Sequence, residues 1–166
     1  VKRKVAVKKA AVSPPAQKPV FADGATQEAQ GLGIYQVIDA KKKTARLVKV
    51  SNPNIVRLKV PATVSICGVT CKVTEIGNQA AKNCKRLRQA VLGKHVTKIG
   101  KQAFFNCKKL KTIQIDGKTI KTVGAKALKK TAGNIKIRAK KMNRKQKTAL
   151  LKKLRKAGVS KKAKVK

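Results

Sequence analysis

The stretch VTKIGKQAFFNCKKLKTIQI, from Val96 to Ile115, decides the fold because a near copy precedes it, VTEIGNQAAKNCKRLRQAVL, from Val73 to Leu92. Equivalent positions are 23 residues apart, and a third, degraded copy begins at Ile120. The matched pairs are Ile76 and Ile99, Gly77 and Gly100, Ala80 and Ala103, Cys84 and Cys107, and Leu87 and Leu110. A fixed period of this length indicates stacked units, each burying its apolar face against its neighbours.

The apolar spacing changes within each unit. From Val96 to Leu110 the apolar positions are three or four residues apart, which favours a helical or 3₁₀ segment, whereas Ile113 and Ile115 are two apart, which favours a strand. Strands of stacked units would pair in parallel about 4.8 Å apart. The sequence therefore predicts an α/β-type solenoid of about three coils over 73–139, and Gly100 fits a bend where a side chain would obstruct the backbone.

Two flanking segments predict an entry and a cap. Residues 31–72 alternate apolar and polar, which predicts strands, and Gly68 is a plausible hairpin turn. Residues 140–158 predict a basic capping helix that begins at Asn143 and stops at Gly158, with Gln146 completing a capping box.

The two ends of the chain lack a burial pattern. Residues 1–30 mix lysine, alanine and proline, and half of residues 159–166 are lysine. Such compositions cannot bury enough apolar surface to fold. We therefore expect a disordered Lys/Pro-rich linker at 1–30 and a disordered tail at 159–166.

The Val96–Ile115 stretch closely resembles the BspA-type leucine-rich repeat, approximately V-x-x-I-G-x-x-A-F-x-x-C-x-x-L-x-x-I-x-I. The resemblance extends from Pro61 to Leu128, with Ala81 where the family usually has Phe and Thr131 at the cysteine position. It implies a secreted or cell-surface module for adhesion or protein interaction, of the kind found in Gram-positive gut or oral bacteria, in a family whose members bind host matrix proteins or other cells or have no known role. The family brings no catalytic residues, so the resemblance implies a protein that is not an enzyme.

The charge indicates the kind of partner. Lys and Arg number 44 against 5 Asp and Glu, for a formal charge of +39. This excess must face water and attract anionic polymers: cell wall, acidic glycan or nucleic acid. Lysine outnumbers arginine and there are only four aromatic residues, which disfavours base-edge reading and base stacking.

The lysines on the repeats lie outside the apolar stripe, and some of them stack in register between coils. We therefore predict a candidate anion-binding face. Its members are Lys85, Arg88, Lys98, Lys101, Lys108, Lys109 and Lys111. Simple solubility is the competing interpretation. A nucleic-acid-binding protein and a membrane-active basic helix are the alternative functions.

The four cysteines allow several interpretations. Buried structural thiols, a disulfide between Cys67 and Cys71, and a zinc site all fit the count. The repeat pattern favours the thiols because Cys84 and Cys107 share an inward position. His95 has no partner for catalysis, and Glu75 is expected in a local ion pair. We expect no metal, no cofactor and no membrane-spanning run, and a chain that is a monomer or part of a larger protein.

Overall fold

A computed structural model describes residues 20–29, 31–116 and 120–166. Most of the predicted linker, residues 1–19, lies outside the described residues. Within the described ranges the chain forms twelve strands and one helix. In chain order they are β1 Thr26–Ala29, β2 Gly33–Asp39, β3 Thr44–Val50, β4 Arg57–Lys59, β5 Thr63–Ile66, β6 Val69–Ile76, β7 Gln89–Leu92, β8 Lys98–Ile99, β9 Thr112–Asp116, β10 Thr122–Val123, β11 Lys136–Lys140, α1 Arg144–Lys156 and β12 Lys164–Val165.

The first sheet combines the entry strands with one strand from each repeat. Its order is β1-β2-β3-β6-β8-β10, and β5 also pairs with β6. Strands β6, β8 and β10 are parallel, and Ile76 lies beside Ile99, which lies beside Val123. Equivalent residues of the three predicted units are therefore hydrogen-bonded neighbours in this sheet.

The second sheet is wholly parallel, in the order β4-β7-β9-β11-β12. A single row of inward residues crosses it: Leu58, Ala90, Ile113, Ile137 and Val165. The first four are fully buried, because side chains alternate between the faces of a strand and this row faces the core. The strand predicted at Ile113 and Ile115 is part of β9.

Between the two sheets, each unit crosses by turns, which corrects the predicted helical or 3₁₀ segment. Gln79 and Asn83 have φ angles of 57° and 63°, and Gln102 and Asn106 repeat them at 53° and 63°. Left-handed residues at this spacing stop a right-handed helix from propagating. The turns of adjacent units bond to each other instead, as when the amide of Phe104 donates to the carbonyl of Ala127 over 2.9 Å.

The predicted bend at Gly100 brings two units into close backbone contact. A Cβ on Gly100 would lie 2.6 Å from the backbone nitrogen of Asn78, and one on Gly124 would lie 2.5 Å from that of Lys101. Such distances exclude any side chain. The glycine of each unit therefore allows the next unit to stack on it.

The entry region contains the predicted hairpin and one unexpected strand. Cys67 and Gly68 have φ angles of 51° and 78° and join β5 to β6, as a two-residue hairpin turn requires. Strand β1 lies within the predicted disordered linker 1–30 and pairs antiparallel with β2. This pairing corrects the linker boundary for residues 26–29, because a neighbouring strand satisfies their backbone groups.

Helix α1 caps the third unit. The amide of Gln146 donates to Oδ1 of Asn143 over 2.8 Å, and the amide of Asn143 donates to Oε1 of Gln146 over 3.1 Å, which is the predicted capping box. Leu150 and Leu154 are buried. The amide of Leu128 donates to the carbonyl of Ala157 over 3.1 Å, so the helix end takes the place of a further turn.

The segment after α1 is ordered, which corrects the tail predicted for 159–166. Val159 and Ala163 are buried, and β12 pairs in parallel with β11. The composition of residues 159–166 does not indicate a strand, because β12 is stabilised by pairing with the edge strand β11 rather than by its own β propensity.

Candidate anion-binding surface

The predicted anion-binding face is exposed but divided among three segments. All seven predicted cations are exposed to solvent. Lys98 lies in β8 of the first sheet, Lys101 in the turn that follows it, and the other five in the approaches to β7 and β9 of the second sheet. Two of the seven therefore lie at the first sheet, and five lie where adjacent units enter the second sheet.

Arg88 and Lys111 are brought side by side, as the repeat period predicted. The amide of Lys111 donates to the carbonyl of Arg88 over 2.9 Å, directly before β7 and β9 begin. Like charges at neighbouring positions are unfavourable in the absence of an anion. This pair is the part of the predicted face with the clearest electrostatic reason to hold a ligand.

Lys98 has a local partner. Its Nζ lies 3.7 Å from a carboxylate oxygen of Glu75, its neighbour in the β6–β8 register. This is the local ion pair expected of Glu75, and an exposed pair of this kind contributes about 0–1 kcal/mol. The carboxylate offsets the charge of Lys98, which makes Lys98 the weakest candidate of the seven for a ligand.

Lys101 lines a groove of about 380 Å³ that crosses three units. Asn78, Gln79, Gln102 and Lys126 line it as well. Oδ1 of Asn78 accepts a hydrogen bond from the amide of Lys101 over 2.9 Å, which fixes the wall of the groove. The arrangement offers carboxamides and two ammonium groups to a polar ligand.

A cationic area that the sequence reasoning missed lies on the outer face of the second sheet. Lys136 of β11 is paired in the register with Lys164 of β12, and both are exposed. Lys136, Lys162, Lys164 and Lys166 line a groove of about 320 Å³ with Asn134 and Ile135. Alternation in KIRAK at 136–140 could have marked the outward lysine, but the position of Lys164 depends on the pairing of distant strands.

The cysteines form no disulfide and no metal cluster within the described residues. Sγ of Cys107 donates to the carbonyl of Ala81 over 3.0 Å, and burial raises the pKa of Cys107 to about 12. Burial also raises the pKa of Cys84 and of Cys71. Thiols of this kind stay protonated at neutral pH and are weak nucleophiles and ligands.

His95 is half-buried at a turn between units. Its pKa is lowered by burial first, and then by the charges of Lys94 and Lys72. The imidazole is therefore neutral at physiological pH and adds nothing to the cationic surface.

A protein-family model described as a BspA type leucine rich repeat region matches residues 58–153 in six copies. The chain belongs to the BspA-type leucine-rich repeat family. This confirms the resemblance seen in the Val96–Ile115 stretch. The match also extends beyond the repeats predicted at 73–139, into the entry region and through most of α1.

A solved structure shares the fold of this BspA-type chain. It is a leucine rich cell surface protein from Faecalibacterium prausnitzii A2-165, aligned with a TM-score of 0.53 and 24% sequence identity over 72% of this chain and 32% of that one. The chain thus spans about a third of that protein's length. A search of curated proteins found no match.

The described part of the BspA-type chain contains no helix that is long and apolar enough to cross a membrane. Its helix α1 is 13 residues long and carries seven lysine or arginine side chains: Arg144, Lys145, Lys147, Lys152, Lys153, Arg155 and Lys156.

Proposed function

We propose that this chain is a non-enzymatic adhesion or protein-interaction module whose cationic surface directs it to anionic partners outside the cell or at a cell surface. The observation that carries the proposal is the parallel register of the repeat strands in both sheets, which sets equivalent exposed side chains of successive repeats side by side. Such a surface can contact an extended partner along the direction in which the repeats stack. We also propose that the stacked units form a short solenoid.

The charge balance supports an anionic partner. Five acidic residues cannot neutralise 44 basic ones, and within the described residues two of them already form ion pairs with lysines: Asp39 with Lys42 and Glu75 with Lys98. The remaining positive field attracts anions over about one Debye length, roughly 8–10 Å at physiological salt. The partner we propose is a protein or glycan ligand with acidic groups.

The chemistry of the described residues supports a binding role over catalysis. Apart from Tyr35, whose hydroxyl is buried, no polar or charged side chain is buried in the described part of the chain. The buried thiols are held protonated, and the half-buried histidine has no carboxylate partner there.

Nucleic-acid binding is the first alternative, and it rests on charge alone. Membrane activity of α1 is the second. The burial of Leu150 and Leu154 against the third unit argues against the second, because an interfacial helix needs its apolar stripe free for lipid.

A salt series of binding to four surfaces tests the proposal: duplex DNA, anionic vesicles, Gram-positive cell wall and a host-matrix protein panel. We expect one surface other than DNA or vesicles to retain binding at about 0.3 M salt, where surface charge is screened within several ångströms. Release from all four surfaces together near physiological salt would contradict the proposal, and so would selective retention on DNA or vesicles.

A further inference from the structure

We propose that the groove lined by Lys136, Lys162, Lys164 and Lys166, here called the lysine groove, binds an acidic polysaccharide. The inference rests on the proposed function, for which it names a site and a ligand class. This site differs from the face predicted on the repeats, since its residues come from β11, β12 and the segment between α1 and β12.

Register places the lysines of this groove close together. Lys136 and Lys164 are direct partners in parallel strands, which are about 4.8 Å apart. Both side chains face solvent. By contrast, Ile137, the next residue along β11, is fully buried. Like charges at directly opposed positions of two strands repel each other, and an anion bound between them removes that cost.

The fold does not require lysine at these positions. In the same row of the second sheet, β7 has Gln89 and β9 has Thr112, so neutral residues satisfy the same backbone register. Charge in this row lies at the two edges of the sheet, at Arg57 of β4 and at the lysine pair of the groove, with neutral residues between them. The described strands of this sheet contain one acidic residue, Asp116. Its register partner is Lys140 rather than a lysine of the groove.

The lining favours a saccharide over a nucleic acid. No aromatic side chain lines the groove or the groove that adjoins it, so neither offers a stacking platform for bases, and Arg155, the one arginine that the two linings include, belongs to the adjoining groove. Asn134 supplies a carboxamide that can bond to hydroxyl groups. The volume of about 320 Å³ lies near the lower end of small-ligand sites, roughly 300–1,000 Å³, and suits a short stretch of a chain.

A second groove favours a polymer over a single sugar. It has a volume of about 540 Å³, lies between α1 and β12, and shares Lys162, Lys164 and Lys166 with the first. Arg155 and Lys161 extend its cationic lining. An extended polyanion that occupies the lysine groove can therefore continue across β12 and meet further cations.

Two triple variants of the full chain locate the site. K136Q/K162Q/K164Q removes three charges from the lysine groove, and K85Q/K108Q/K111Q removes three exposed lysine charges from the repeat face. The probe is a size-defined heparin-derived octasaccharide, with Kd measured by titration calorimetry at about 0.15 M salt. Far-UV circular dichroism and urea unfolding establish that both variants are folded, and Gln89 in the same sheet indicates that glutamine is tolerated.

We expect the groove variant to lose affinity on the order of tenfold or more, and the repeat-face variant to lose less than about threefold. Equal losses, or a larger loss in the repeat-face variant, would overturn the assignment of the site while leaving the proposed function intact. Failure of the wild-type chain to bind the octasaccharide, with binding retained on another surface of the salt series, would overturn the ligand class. Failure to bind any surface would overturn both proposals.

Amide chemical-shift mapping of the wild-type chain, titrated with the octasaccharide, locates the binding site without relying on the variants. Shifts that cluster at β11, β12 and Asn134 would support the groove. Shifts centred on the turns of the repeats would overturn it. A duplex DNA of similar charge serves as the competitor, and DNA that binds the groove more tightly than the octasaccharide would overturn the choice of polysaccharide.

Discussion

Asn106 donates a hydrogen bond from Nδ2 to Oδ1 of Asn83, 23 residues earlier, over 2.9 Å. Both residues have a φ of 63°, in the left-handed region that asparagine tolerates better than most residues. The backbone amide of Asn83 also donates to the carbonyl of Phe105 over 2.9 Å. One repeated residue type therefore serves both the turn of its own unit and the attachment to the next unit.

Substitution of Asn106 by alanine should lower the free energy of unfolding by about 1–3 kcal/mol. The change removes the hydrogen bond to Asn83, and alanine has no polar side chain that could compensate for the cost of a positive φ. Asn106→Gly is the matched control: it loses the hydrogen bond but has no steric cost, so its loss should be smaller. Urea unfolding measures both. A glycine variant less stable than the alanine variant would contradict this account of the turn.

Gly100→Ala should destabilise the chain by about 1–3 kcal/mol or more, because the new Cβ would overlap the backbone of Gly77 and Asn78 at 2.6 Å. Gly133→Ala is the control, since a Cβ there meets nothing within 4 Å. Its stability should be unchanged or slightly raised. Equal changes in melting temperature for the two variants would show that close stacking of the backbone is not the reason for glycine at position 100.

Thiol labelling should distinguish one cysteine from the other three. Cys67 is partly exposed at the hairpin turn, whereas Cys71, Cys84 and Cys107 are buried. An aromatic disulfide reagent at about pH 8 should modify Cys67 quickly and the others only on unfolding, because reaction needs an accessible thiolate. Peptide mapping after labelling without reductant identifies the sites. Rapid labelling of Cys84 or Cys107 in the folded chain would contradict their burial.

Tyr35→Phe should leave stability unchanged or raise it. The Tyr35 side chain is fully buried, and within the described part of the chain its hydroxyl has no hydrogen-bond partner. Leaving a buried hydroxyl unpaired costs about 1–3 kcal/mol, and phenylalanine removes that group. Urea unfolding at neutral pH checks the sign, and a clear loss of stability would show that the hydroxyl has a partner in solution.

The same substitution should change the dependence of stability on pH. Burial raises the pKa of Tyr35 from 10.0 to about 12, so its contribution is fully present below pH 10 and is lost as the pH rises towards 12. The difference in unfolding free energy between wild type and Tyr35→Phe should therefore shift in favour of the variant over this range. Both proteins share every lysine, so the difference isolates Tyr35. Parallel curves would contradict the raised pKa.

The repeat period was enough to predict which residues of successive units become neighbours. Ile76 and Ile99 are paired in the first sheet, and Ile113 lies in a strand of the second. The turn side was not predictable in the same way. Spacings of three and four fit a helix and a series of tight turns equally well, and the left-handed φ angles of Asn83 and Asn106 that decide between them are set by bonds to the next unit.

The candidate site was predicted less well than the fold. Exposure of the repeat lysines follows from the apolar stripe, which the sequence shows directly. The lysine groove depends on the register between Lys136 and Lys164, which are far apart in the chain. Because strand pairing at a sheet edge is a tertiary effect, composition alone made residues 159–166 look like a tail.

We propose that the arrangement of the cations, and not their number alone, selects the partner. The most direct measurement is the salt concentration at which the wild-type chain elutes from immobilised heparin, compared with a plain sulfonate resin of matched charge density. The account predicts later elution from heparin, and a difference that shrinks in K136Q/K162Q/K164Q but persists in K85Q/K108Q/K111Q. Elution of the wild type at the same salt from both resins would contradict the claim.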